Sequence, residues 1–171
     1  MNVMRAIKIE KVTLNIGAGK DQDRLEKGIL LIKALTGIAP VKTTTSKRIP
    51  EWGLRPGLPI GCKLTIRGKM AIELLRRLLE AKDFQLSEKQ FSDDGTVSFG
   101  IAEYIDVPGI KYDPKIGIMG FEACITLERN GFRIKRRVAM RRKVPKSHRI
   151  TKPEAIEFMK KNFNIRTGES A

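Results

Sequence analysis

The chain has 171 residues, and its 34 Lys and Arg outnumber 19 Asp and Glu to leave a formal net charge of +15. An apolar fraction of 41% is enough for a buried core and excludes a disordered chain, while the length fits one domain over residues 1–171. No apolar run approaches the ~20 residues of a membrane span, and the first residues lack the apolar centre of a signal peptide, so the expectation is a soluble cytoplasmic protein whose excess charge meets a polyanion.

Residues 6–16 are predicted as the first strand. Ala6, Val12, Leu14 and Ile16 share one parity, and Thr13 and Asn15 take the other. Ile7 and Ile9 also fall on that second parity, so the early half is either buried on both faces or carries a bulge. Gly17-Ala18-Gly19-Lys20 then turns into a helix with Asp21 as N-cap, Leu25, Ile29, Ile32 and Leu35 as inner stripe, and Gly37 at its end. Gly28 within it costs roughly 1 kcal/mol against alanine. Residues 41–48 are β-branched and polar, which suits a strand with one wet face. Residues 49–59 hold three prolines and two glycines and read as an irregular loop.

The clearest strand follows. Ile60, Cys62, Leu64 and Ile66 alternate with Gly61, Lys63, Thr65 and Arg67. Residues 69–82 form a strong helix with Met70, Leu74, Leu75, Leu78 and Leu79 inward. Residues 84–106 are acidic and β-like, with Asp93-Asp94-Gly95 as a turn before a strand at 96–101. Residues 107–120 form a second irregular loop. Phe121, Ala123, Ile125 and Leu127 then alternate with polar neighbours over 121–128. Asn130-Gly131 is a hairpin signal, and residues 132–138 are the expected return strand. Thr151 and Glu154 make a capping box for a last helix with Ile156, Met159 and Phe163 inward. Residues 164–171 are expected to be a loose tail. The pattern predicts an α+β fold: a mostly antiparallel sheet with helices on one face and the other face open.

The charge is polarised. Residues 129–152 hold eleven Lys and Arg and no acid, residues 41–69 hold seven and one acid, and residues 83–106 hold six acids and one lysine. Lys63, Thr65 and Arg67 project from a strand whose other face is core. Thr13, Asn15, Thr43, Thr45 and Lys47 extend that surface across neighbouring strands. Cations serve phosphates, and short hydrogen-bonding groups serve sugar hydroxyls and base edges, a mixture suited to RNA. A solvated outer sheet face needs polar residues as well, so the polarised charge is what favours RNA. Trp52, beside Arg55, either stacks on a nucleotide or tucks its loop onto the domain.

Enzymatic chemistry finds little support. The turn at residues 17–20 follows a strand and precedes a helix, but Asp21 stands where a phosphate loop needs Ser or Thr, and Gln22 where a dinucleotide fold needs glycine. A phosphate- or nucleotide-binding enzyme using this turn is the alternative reading. Cys62 and Cys124 are read as small core residues, and with His148 as the single histidine no metal site or cofactor is expected. A membrane-surface protein would need a basic amphipathic helix, and the strongest helix carries only moderate charge and no aromatic residue.

Three segments, EKVTLNIGAG (10–19), LTGIAPVKTTTSK (35–47) and RPGLPIGCKLTIRG (55–68), together resemble universal ribosomal protein five of the large subunit. SFGI (98–101), IDVPGIKYD (105–113) and IMGFEACI (118–125) agree with it, and the resemblance spans residues 8–163. RRVAMRRKVPKSHRITK (136–152) is similar to the archaeal and eukaryotic branch. The chain departs at Ile38, where many bacterial members carry glutamine. The resemblance implies a non-catalytic constituent of the ribosome, a monomer within it, with no cofactor. It implies binding to 5S rRNA, attachment of that RNA in the central protuberance, and contact with large-subunit rRNA. The implied RNA-binding sheet maps onto Asn15, Thr44, Lys47, Lys63, Thr65 and Arg67. Lys42 and Arg48 are added from the first basic region, and Arg136, Arg137, Arg141 and Arg142 from the second. The loop with Trp52, Arg55 and Gly57 is implied to face the peptidyl-site tRNA. The loop at 108–120 is implied to reach a small-subunit head protein.

Overall fold

The computed structural model describes residues 2–168. Its sheet is built from β1 (Ile7–Gly17), β2 (Val41–Thr44), β3 (Pro59–Ile66), β5 (Thr96–Ile101) and β6 (Phe121–Arg129), in the order β2-β3-β1-β6-β5 with every pairing antiparallel. Short β4 (Gln85–Ser87) pairs in parallel with β7 (Arg166–Gly168). The helices are α1 (Gln22–Thr36), α2 (Lys69–Glu80) and α3 (Lys152–Phe163). This is the α+β architecture expected from the pattern.

Alternation decides which side is core. Val12, Leu14 and Ile16 of β1, Cys62, Leu64 and Ile66 of β3, and Ala123, Ile125 and Leu127 of β6 are buried in one cluster. Leu74, Leu75, Leu78 and Leu79 of α2 and Met159 and Phe163 of α3 bury their stripes in the same cluster. The parity break in β1 is a bulge. The register shifts between Ile9 and Lys11, so Ile9 stands opposite Leu127 while Lys11 stands opposite Thr126. Glu10 is the extra residue, and one added residue turns Ile7 and Ile9 back to the side of Val12.

Gly28 has a packing reason. A Cβ there would lie 3.1 Å from Ile16 Cγ2 and 3.3 Å from Cys62 Sγ. The bare backbone therefore lets α1 lie close on β1 and β3, which offsets its helix penalty. Asp21 caps α1 by accepting from the N–H groups of Asp23 and Arg24, and Gly37 ends it at φ 73°.

Four expectations are corrected. Residues 132–138 are not a strand: Phe132–Lys135 is a 3₁₀ turn that follows Gly131 at φ 93°. β6 already has β1 and β5 on its two edges, so a return strand has no edge to pair with. Met70 is half exposed at the start of α2 rather than inward. Cys124 is not a core residue: it is half-buried on the face opposite Cys62, across from Thr13 and Ser98. The chain beyond Asn164 is not loose as far as Gly168, because Ile165 is buried and β7 pairs with β4. The remaining tail residues, 169–171, lie outside the described residues.

Candidate nucleic-acid interface

The sheet face turned away from the helices carries three rows of side chains. Lys63, Asn15, Glu122 and Gly100 are successive cross-strand partners. Thr65, Thr13, Cys124 and Ser98 form the next row, and Lys11, Thr126 and Thr96 the third. Lys63 and Arg67 are exposed, whereas Thr65, Thr13 and Asn15 are half-buried among their neighbours. The cations lie on the β3 and β1 side. Glu122 marks the boundary, and its Oε2 accepts from Asn15 Nδ2 at 3.3 Å. Beyond it Cys124 and Thr126 of β6 and Thr96, Ser98 and Gly100 of β5 are small and neutral.

Thr44 joins this face through a second bulge. The register shifts between Thr43 and Thr44, so Thr43 stands opposite Gly61 and Thr44 opposite Pro59. Gly61 and Pro59 share the parity of Lys63, which brings both threonines to the open face. The strand ends at Thr44, four residues earlier than its composition suggests, and Lys47 and Arg48 continue exposed in the following loop. Lys42 is not brought to this face: it stands opposite Cys62, so its parity turns it towards the helix side of the edge strand.

The loop at 49–59 is held by Leu54, which is buried and forms an isolated bridge with Ile49. Trp52 is 65% exposed, so it does not tuck the loop. Arg55 and Gly57 are exposed beside it. In the second basic region Arg137, Arg141 and Arg142 are exposed. Arg136 is different: Nη1 donates to buried Glu10 and Nη2 to Glu128 at 2.6 Å. Its charge is therefore already matched within the fold. Charge composition alone could not reveal this pairing, because Arg136 and Glu10 are 126 residues apart. Arg129 was likewise illegible as a structural residue: it is buried and bonds Glu154 at 2.5 Å.

The turn at 17–20 offers no phosphate cradle. The N–H groups of Ala18 and Gly19 both donate to the Ile60 carbonyl, at 2.9 and 3.0 Å. The Asp21 carboxylate occupies the first turn of α1. His148 Nε2 lies 2.9 Å from the Asn130 carbonyl and its ring stands edge-on to Phe132, so it serves the fold. Burial pushes the Cys62 thiol up from its ordinary value, which keeps it protonated and unreactive. The described residues contain no cluster of His, Cys, Asp and Glu able to hold a metal, and no described helix is long and apolar enough to cross a membrane.

Two family descriptions cover nearly the whole chain: the one for ribosomal protein L5 matches residues 2–55, and the one for the C-terminus of the same ribosomal family matches residues 59–158. The chain belongs to the ribosomal protein L5 family. Among curated relatives, the large ribosomal subunit protein uL5 of Sulfolobus acidocaldarius is 48% identical over 96% of this chain and 92% of its own length. The uL5 proteins of Nanoarchaeum equitans and Methanosphaera stadtmanae are 48% and 42% identical, covering 95% and 96% of this chain and 96% and 98% of their own lengths. This family member is therefore a structural protein of the large ribosomal subunit and not an enzyme. That overturns the alternative of a phosphate-binding enzyme, in agreement with the spent N–H groups at residues 18 and 19. The similar archaeal relatives match the branch to which the second basic region points.

Proposed function

We propose that this chain binds 5S rRNA through the β2-β3-β1 half of its open sheet face and helps attach that RNA to the large subunit in the central protuberance. The observation that carries the reading is the concentration of Lys63, Thr65, Asn15 and Thr44 on one face, with exposed Arg67 directly after the end of β3. Among the described residues, no carboxylate pairs with Lys63 or Arg67. Unpaired cations beside short polar groups supply counterion release for affinity and sugar contacts for register. Lys47 and Arg48 continue the basic edge, and Arg137, Arg141 and Arg142 supply a second basic patch for large-subunit rRNA. The exposed loop with Trp52, Arg55 and Gly57 meets the peptidyl-site tRNA, and the loop at 108–120 meets a small-subunit head protein. Lys63→Ala with Arg67→Ala tests the reading. The double variant is expected to keep its circular dichroism spectrum, to bind 5S rRNA more weakly at moderate salt, and to lower the salt slope by about 0.7–0.9 per lost phosphate contact. Unchanged affinity and slope would remove the sheet face from the interface.

A further inference from the structure

The second basic region is a built element rather than a charged tail. Residues 133–143 hold seven Lys and Arg and no acid. Val138 at the tip is 100% exposed and Met140 is 74% exposed, so two large apolar side chains stand in water among cations. Neither belongs to the core. Met140 has φ 52°, a left-handed conformation that a residue with this side chain adopts only at a cost. The tip is nonetheless held: Arg137 Nε donates to the Met140 carbonyl at 3.0 Å, and the Arg142 N–H to the Ile134 carbonyl at 3.2 Å. At the base Phe132 and Val144 are buried, and Lys135 Nζ lies 4.8 Å from the centre of the Phe132 ring. Arg136 ties the base to the sheet through Glu10 and Glu128. Glu10 is available for this because it is the bulged residue of β1. Glu128 stands opposite Lys8 on the open-face parity, so the tie lies at one end of the face that carries Lys11, Thr65 and Lys63.

We infer that residues 136–143 form a pre-set finger that packs Val138 and Met140 against unpaired bases of ribosomal RNA, with Arg136 as the strut that positions the finger rather than as a phosphate ligand. This rests on the proposed function and sharpens it. Strained backbone held by specific bonds is characteristic of sites that present a group to a partner. A purely electrostatic arm would need no apolar tip and no internal clamp. Duplex RNA is also a poor fit, because its bases offer no accessible apolar face in the deep groove. Unstacked bases do offer one, and the surrounding cations match the flanking phosphates. A protein partner for the tip would have to be strongly acidic to face seven cations, whereas RNA meets that requirement along its whole backbone.

The test compares three variants against transcripts of 5S rRNA and of large-subunit rRNA. Val138→Ser with Met140→Ser is expected to lower affinity for at least one transcript by about tenfold with an unchanged salt slope, since base packing releases no counterions. Glu10→Gln with Glu128→Gln adds two units of positive charge by removing two carboxylates. It is nevertheless expected to weaken binding several-fold and to speed hydrogen exchange over residues 137–143, because the strut loses its anchors. Tighter binding by that variant would show the region to be an electrostatic arm and overturn the inference. Wild-type affinity of the Val138/Met140 variant for both transcripts would also overturn it, and would point to a protein at the tip. Lys63→Ala with Arg67→Ala is the control: if it loses RNA affinity while the tip variant does not, the finger fails and the sheet face stands. If neither loses affinity, the finger fails and the sheet face is removed from the interface as well.

Discussion

Arg129 shows how one residue couples two elements and makes stability depend on pH. It ends β6 on the core parity and is 4% exposed. Its guanidinium bonds Glu154 in the first turn of α3 and reaches the His148 carbonyl at 3.5 Å. Glu154 also accepts from the Thr151 N–H at 3.0 Å, closing the capping box. Partial burial pushes the Glu154 carboxyl up, but the Thr151 and Arg129 hydrogen bonds and the Arg129 charge outweigh it and hold the group below its ordinary range. A depressed carboxyl stabilises the fold above its unfolded-state pKa, and that contribution disappears as pH falls through the folded pKa. Glu154→Ala should therefore cost on the order of 1 kcal/mol at neutral pH, discounted for the exposure of Glu154. The cost should shrink on acidification. Urea denaturation of both proteins across the carboxylate range measures this, and a difference that stays constant with pH would assign the loss to packing instead.

At the scale of elements, the loop at 49–59 separates two jobs that the sequence left joined. Leu54 is buried while Trp52 points to solvent. Leu54→Ala should cost about 2 kcal/mol, at the low end for a buried leucine, because the loop surrounding it can close partly over the gap. Trp52→Ala should shift stability by less than about 0.5 kcal/mol. Thermal unfolding of the two variants checks both, and a large loss for Trp52→Ala would make it the anchor after all. Such distinctions follow from what is local and what is not. The alternation of residues 60–67, the Asp21 cap and the Thr151 capping box were legible because each is settled within a few residues. The parity break at Ile7 and Ile9 allows either burial on both faces or a bulge, and only the register against β6 decides for the bulge and for Glu10 as its extra residue. The return strand after Gly131 failed for the same reason: a good turn signal cannot supply a free sheet edge. On the open sheet face, parity favours Thr43 and Thr45 and the resemblance Thr44, and only the bulge opposite Pro59 brings Thr44 beside Thr43. The Arg136 clamp left no local trace at all.

For the whole molecule, the charge that first suggested a polyanion has a thermodynamic consequence for the free protein. Four ion pairs join described residues, and three of them involve the Glu10, Glu128 and Arg136 group with Lys8. The net charge of +15 is far larger than these pairs neutralise. The exposed cations of residues 41–69 and 133–143 therefore repel one another within a domain where the Debye length at 0.15 M salt is about 8 Å. Added salt screens this repulsion fully at exposed side chains but weakens the half-buried pairs less, since Glu10 and Glu128 are largely out of water. Repulsion is the larger quantity, so salt should stabilise the free protein. Raising ionic strength about tenfold should add about 1 kcal/mol, which for a chain of this length raises Tm by about 2–4 °C. The same change should weaken binding to rRNA steeply, because counterion release works in the opposite direction. Calorimetry of the free protein and titration with 5S rRNA, run on the same salt series, read both slopes. Opposite signs are required if the open face and the finger are charged for a partner rather than for solubility; a Tm that falls with salt would mean that attractive pairs, not unpaired cations, dominate the electrostatics of this fold.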